Sequence, residues 1–202
     1  MSETRGRRVR MADEGRIIAL DLQGLADARL VGLALAGSQP AFQEIVRRYE
    51  RPVYNLICRI VRDPAVAEDV AQETFLKMYR GLAGFDGNRR FSSWIFRIAN
   101  NAALDALRRK RGDPLFESVG EEAAIPTPAD PVEAAALGKA LGAALDALRP
   151  EWRAAIVLRY QEGCSYNEIA DVLGVPEGTA KTFVHRARKQ MADALAAAGW
   201  RP

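Results

Sequence analysis

Residues Ser165 to Lys189, SYNEIADVLGVPEGTAKTFVHRARK, constrain the fold more than any other stretch, because they spell two short helices around a tight, closely specified turn. Ser165 and Glu168 stand three apart, so a hydroxyl and a carboxylate can each satisfy an orphan backbone N–H at the start of the first helix. Tyr166, Ile169, Ala170 and Leu173 then fall on one helical face. Gly174 suits the left-handed backbone that ends this helix. Pro176 and Glu177 open the next one, where a missing N–H costs nothing and a carboxylate suits the helix dipole. The spacing predicts a helix-turn-helix.

Wound at about 100° per residue, the second helix gathers Ala180, Val184, Ala187 and Met191 on one side. Lys181, Thr182, His185, Arg186 and Lys189 gather on the other. Phosphates and major-groove base edges expose mainly acceptors, which lysine, arginine, hydroxyl and imidazole donors match. The plainer alternative is a solvated basic face on a packing helix. Caps, turn and polarity all agree with a helix that reads DNA.

The 202 residues, 49% hydrophobic and 27% charged, suffice for one large or two small globular domains. A formal charge of +3 is modest, so its distribution says more than its sum. Arg89 to Arg111 holds seven basic residues (Arg89, Arg90, Arg97, Arg108, Arg109, Lys110, Arg111) against one acid, Asp105, whereas Gly112 to Ala136 holds acids and no base. Cys58 and Cys164, the only cysteines, lack metal-ligand spacing, so no metal and no disulfide framework is expected. No apolar run is long enough to cross a bilayer, and the expected location is the cytoplasm, with no membrane insertion.

Residues 1–26 are Arg- and Gly-rich with little periodicity and are expected to be an arm, with a helical turn near Ile17 to Leu22. Residues 27–111 read as about four helices, broken at Gly37 to Pro40, at Asp63-Pro64 and at Gly84 to Asn88. Residues 112–131 hold Pro114, Pro126, Pro128 and Pro131 among acids, a linker composition. Helical periodicity returns over 132–202. With no strand candidate, the expected fold is all-α: two small helical domains joined by an acidic, proline-containing linker.

Asp63-Pro64 caps and opens a helix whose apolar side is Ala67, Val70, Ala71, Thr74, Phe75, Met78, Tyr79 and Leu82. Its other side is Glu68, Asp69, Gln72, Glu73 and Leu76. This is either a solvated acidic face or a docking stripe for a basic helix, steered by charge around a leucine anchor. In the next helix Ser92 is the expected cap, with Phe91 placed to staple against Phe96. There Trp94, Arg97, Asn101, Asp105 and Arg108 share a stripe. An aromatic among arginines and an amide suits unpaired bases, which stack on a ring while arginine neutralises phosphate. A core tryptophan beside a helical arginine is the alternative. The loop FDGNRR, Phe85 to Arg90, sets Asn88 beside this stripe, where one base could be held out of the stack.

With these residues in place, the chain resembles the extracytoplasmic-function sigma factors, two-domain members of the bacterial sigma-70 family. AEDVAQETFLKMY at Ala67 to Tyr79 resembles the family's polymerase-binding helix. FSSWIFRIANNAALDALRRKR at Phe91 to Arg111 is similar to its promoter-melting helix, and the terminal helix-turn-helix to its upstream reader. The resemblance implies that Asp69, Gln72, Glu73 and Leu76, flanked by Glu68, grip the clamp helices of core RNA polymerase. It implies that Trp94, Asn101, Asp105 and the loop at Asn88 read and open the −10 promoter element, with Arg97, Arg108 and Arg109 on phosphates. Lys181, Thr182, His185 and Arg186 would read the −35 element. It further implies an anti-sigma partner, no cofactor and no catalytic residue, the polymerase doing the chemistry.

Two other readings are weaker. A helix-turn-helix transcription factor that binds duplex DNA without polymerase needs neither the Glu68 to Leu76 stripe nor the Trp94 stripe. An enzyme would need more than the single histidine, His185, which has no nucleophile or carboxylate constellation near it in sequence.

Overall fold

The computed structural model describes residues 22–111 and 131–200. The sequence-predicted arm, with its turn near Ile17, and the acidic linker fall largely on residues 1–21 and 112–130, outside the described residues. All regular structure among the described residues is helical: a short 3-10 turn at Leu22–Gly24, then α1 (Asp27–Leu35), α2 (Gln39–Val61), α3 (Pro64–Gly81) and α4 (Phe91–Arg111). After them come α5 (Pro131–Asp146), α6 (Pro150–Tyr160), α7 (Tyr166–Leu173) and α8 (Glu177–Ala197). The all-α class expected from the periodicity holds, and so does the count of four helices between Asp27 and Arg111.

The chain divides into two units between Arg48 and Tyr49, within α2. Pro52 lies one turn further on and offers no N–H to the Arg48 carbonyl, so the helical ladder lacks a rung close to the division. In the first unit, Arg48 donates to Asp27 at 2.8 Å, to Glu44 at 3.1 Å and to the Leu22 and Gln23 carbonyls. One guanidinium thereby ties the opening turn to α1 and α2. Bidentate bonds from Arg47, added to those of Arg48, hold the Glu44 carboxyl below its usual range against the effect of burial.

In the second unit, α3 begins as its sequence dictates: Asp63 accepts from the Val66 N–H at 3.3 Å and Pro64 occupies the first turn. Ala67, Val70, Ala71, Thr74 and Met78 are buried, the Thr74 hydroxyl satisfied by the Val70 carbonyl at 2.8 Å. The face packs on α4, which contributes Ile95, Ala99, Ala102 and Ala106. The start of α4 differs from expectation. The helix already includes Phe91, so Ser92 lies within the first turn and is not its cap. Phe91 packs its ring at 5.3 Å from both Tyr49 and Phe85 and at 5.5 Å from Trp94. A cluster of aromatic edges therefore fixes the entry to α4. Tyr49 and Phe85 come from outside the helix, which a local staple rule does not see.

The last four helices form a small bundle in which α8 packs against α5, α6 and α7. Its centre is Ile156, Val157, Leu158, Ile169, Val172, Ala180, Val184 and Ala187, all buried. Each fully buried branched side chain contributes about 1.5–3 kcal/mol. Arg153, 3% exposed, enters this core with all its donor nitrogens engaged. It donates to the Leu145, Asp146 and Leu148 carbonyls at the end of α5, and to the Arg59 and Ile60 carbonyls at 3.0 and 3.3 Å near the end of α2. Burial, reinforced by nearby Arg62, draws its pKa down to about 10, and it remains charged at neutral pH. A second link joins α4 and α7, which lie in contact: Arg90, just before α4, meets Glu168 at 2.6 Å.

Candidate nucleic-acid interface

The helix-turn-helix forms through the local chemistry its sequence carries. The Ser165 hydroxyl accepts from the Glu168 N–H at 3.3 Å, and the Ser165 N–H donates to the Glu168 carboxylate at 2.8 Å, a complete capping box. Burial would raise the Glu168 carboxyl, but the Ser165 hydroxyl and N–H, together with the Arg90 guanidinium, hold it below its usual range. Gly174 closes α7 at φ 65° and ψ 37°, a left-handed conformation that would strain any side chain. The Val175 N–H then returns to the Ala170 carbonyl at 3.1 Å, and α8 starts after Pro176.

On α8, Lys181, Thr182, His185, Arg186 and Lys189 are all exposed on the face opposite Ala180, Val184 and Ala187. Several are already oriented. Lys181 pairs with Glu177 at 2.8 Å and lies 5.8 Å from the Tyr166 ring, and the Thr182 hydroxyl donates to the Gly178 carbonyl at 2.8 Å. Arg186 lies 5.8 Å from the Trp152 ring, which also receives Arg149 at 5.5 Å. Arg159 sits 4.8 Å from Tyr166. Sequence reasoning missed these aromatic supports, since Trp152 and Tyr166 reach α8 only through the tertiary fold. It also missed Val172 in the core of α7.

Along α4, Arg97, Asn101, Asp105, Arg108 and Arg109 are exposed. Asp105 and Arg108 pair at 2.7 Å, and Arg109 lies 3.8 Å from Glu73. Trp94 heads the same stripe but is half-buried, its indole packed against Phe85 at 5.3 Å, Phe91 and the backbone of Gly81. It is thus both a structural ring and a partly open face. Asn88 is exposed in a turn made by Asp86, whose carboxylate accepts from both the backbone N–H and the side-chain amide of Asn88 at 3.0 Å.

On α3, Glu68, Asp69, Gln72 and Leu76 are exposed and Glu73 is half-buried. A hydrogen bond from Lys77, with Arg109 close by, keeps the Glu73 carboxyl below its usual range despite burial. One expectation fails on this helix. Tyr79 was assigned to the apolar core side, yet it is 65% exposed and lies beside Leu76, itself 56% exposed. A residue three after Leu76 falls on the same helical side, a signal present in the sequence but overruled there by hydrophobicity.

Cys58 and Cys164 are free thiols, Cys164 being buried with its pKa pushed up to about 12 by that burial. No group of three potential metal ligands occurs among the described residues. No described helix is long and apolar enough to cross a membrane.

Comparisons with known proteins bear on both faces. The family model of sigma-70 region 2 matches residues 45–112, and that of sigma-70 region 4 matches residues 138–191. The ECF RNA polymerase sigma factor SigE of Mycolicibacterium smegmatis is 40% identical over 164 residues, covering 79% of this chain and 63% of that relative. The chain thus spans somewhat under two thirds of that relative's length. SigW of Bacillus subtilis, also an ECF RNA polymerase sigma factor, is 34% identical over 172 residues, covering 79% of this chain and 91% of the relative. Among solved structures, CnrH in complex with the cytosolic domain of CnrY matches with a TM-score of 0.63 at 28% identity, over 86% of this chain and 99% of that one. The chain belongs to the extracytoplasmic-function sigma factors of the sigma-70 family.

Proposed function

We propose that this chain directs core RNA polymerase to promoters through three separate faces. The observation that carries the reading is the exposed basic face of α8, presented by a complete capping box and a left-handed Gly174 within the stretch that matches region 4. Lys181, Thr182, His185, Arg186 and Lys189 contact the −35 element there. The stripe on α4, with Trp94, Arg97, Asn101, Asp105, Arg108 and Arg109, together with Asn88 on the preceding loop, engages the −10 element and stabilises its open strand. Glu68, Asp69, Gln72, Glu73 and Leu76 on α3 dock on the polymerase, with Tyr79 joining Leu76 as a second apolar anchor.

The chain performs no catalysis and requires no cofactor. It works in the cytoplasm, and an anti-sigma protein holds it inactive, a reading supported by the structure of the similar sigma factor RpoE of Bartonella quintana in complex with the anti-sigma factor NepR. Residues 27–111 and 132–202 are its two working domains, with 112–131 the connection and 1–26 an arm.

In vitro transcription with purified core polymerase on a library of upstream regions tests the whole reading. Discrete transcripts that depend on the added chain are expected, and aligning their starts yields both elements. Binding to duplex DNA with no affinity for core polymerase would replace it with an ordinary transcription factor.

A further inference from the structure

Arg149 precedes α6 and lies outside the helix-turn-helix, yet the fold brings its guanidinium to the same indole that Arg186 occupies. The two charges sit 5.5 and 5.8 Å from the Trp152 ring centre, inside the roughly 6 Å range over which a ring quadrupole attracts a cation. One turn beyond Arg186, the Gln190 amide donates to the Ala147 carbonyl at 3.1 Å, which pins this edge of α8 to the junction of α5 and α6. The convergence is therefore set by the packing of α8.

The charge at this edge is unbalanced. Lys181, Arg90, Arg108 and Arg109 each lie within ion-pair distance of a carboxylate. Neither Arg149 nor Arg186 has such a partner among the described residues, and Glu151, in the first turn of α6, pairs with neither. Two guanidinia held at one ring without an acid repel each other until an anion joins them. Guanidinium forks fit phosphate oxygens in two-point contacts.

The geometry points to a DNA-phosphate clamp at this edge: Arg149 grips the sugar-phosphate backbone flanking the −35 bases, while Trp152 is a positioning residue that presents Arg186 to the groove. The inference rests on the proposed −35 reading by α8 and extends that footprint onto α6. The ligand is a phosphodiester of duplex DNA, and its recognition at Arg149 is independent of sequence.

The test is equilibrium binding of the full chain, assembled with core polymerase, to promoter duplexes carrying intact or altered −35 elements, over a range of salt. Arg149→Ala is expected to weaken binding equally on every −35 sequence and to lower the slope of log affinity against log salt by about 0.9, the value for one phosphate contact. Arg149→Lys should restore most of that slope. Trp152→Ala should weaken discrimination at the −35 position read by Arg186, and Trp152→Phe, which keeps a ring, should restore it. A general loss of packing would instead lower the thermal midpoint and leave Trp152→Phe no better than Trp152→Ala.

If Arg186→Ala abolishes −35 discrimination while Arg149→Ala leaves affinity and slope unchanged, the clamp is wrong and the −35 reading stands. If neither substitution alters binding to any duplex, the −35 reading falls with the clamp.

Discussion

At the scale of single residues, Arg153 is the side chain on which most structure depends. A guanidinium that is 3% exposed and bonded to five carbonyls satisfies acceptors near the ends of both α2 and α5. Arg153→Met fills similar space but leaves those carbonyls without their buried donor. A loss of about 3 kcal/mol is expected, since each orphaned buried acceptor costs about 1–3 kcal/mol and some will find water. Urea unfolding of the two proteins measures it directly. Glu168 gives a pH-dependent counterpart. Its folded carboxyl lies below 4.5, so it contributes stability that is complete above that value and lost as pH falls through the lower folded pKa. Glu168→Gln should remove that part of the acid sensitivity. Urea midpoints compared at about pH 6 and about pH 3 would show a smaller drop for the variant, and an equal drop would contradict the assignment.

At the scale of elements, helices with local start and stop chemistry were legible in advance. Asp63-Pro64, the Ser165/Glu168 box and Gly174 act within a few residues of themselves, so their effect survives any tertiary context. The beginning of α4 was misread because Phe91 is held by Tyr49 and Phe85 from outside the helix. Tyr79 was misread for the opposite reason. Its hydrophobic character suggested burial, whereas α3 leaves it exposed beside Leu76 and the acidic stripe. The exposure of Leu76 and Tyr79 beside Glu68 and Asp69 supports the docking role proposed for α3. Leu76→Ser should leave unfolding stability within about 0.5 kcal/mol, as exposed substitutions do. The same change should weaken association with core polymerase at least tenfold, about 1.4 kcal/mol, in a titration followed by fluorescence anisotropy.

Within the larger unit, the contact of α4 with α7 could not be read from the sequence at all. Arg90 and Glu168 are 78 positions apart, and no pattern of local period links them. The same holds for Arg153 and the Arg59 carbonyl, 94 positions apart. Sequence therefore exposed the two candidate faces separately and was silent on the packing of α4 with α7. Arg90→Glu would set two carboxylates against each other at this contact and should favour separation of α7 from α4. Small-angle scattering of the isolated chain should report a larger radius of gyration for the variant at low salt. The difference should shrink as added salt screens the repulsion, over a Debye length of about 10 Å at 0.1 M.

The contact of α4 with α7 also has a geometric consequence on DNA. Elements centred near −10 and −35 lie about 25 base pairs apart, which at 3.4 Å per pair is about 85 Å along the duplex. Helices resting on each other cannot stand at both addresses, so engaging a whole promoter requires that this contact part. Residues 112–130, 19 in number, can reach about 65 Å at full extension. In the proposed role, the residue count of that stretch limits the promoter spacing that the chain can bridge, and deleting residues from it should narrow that limit.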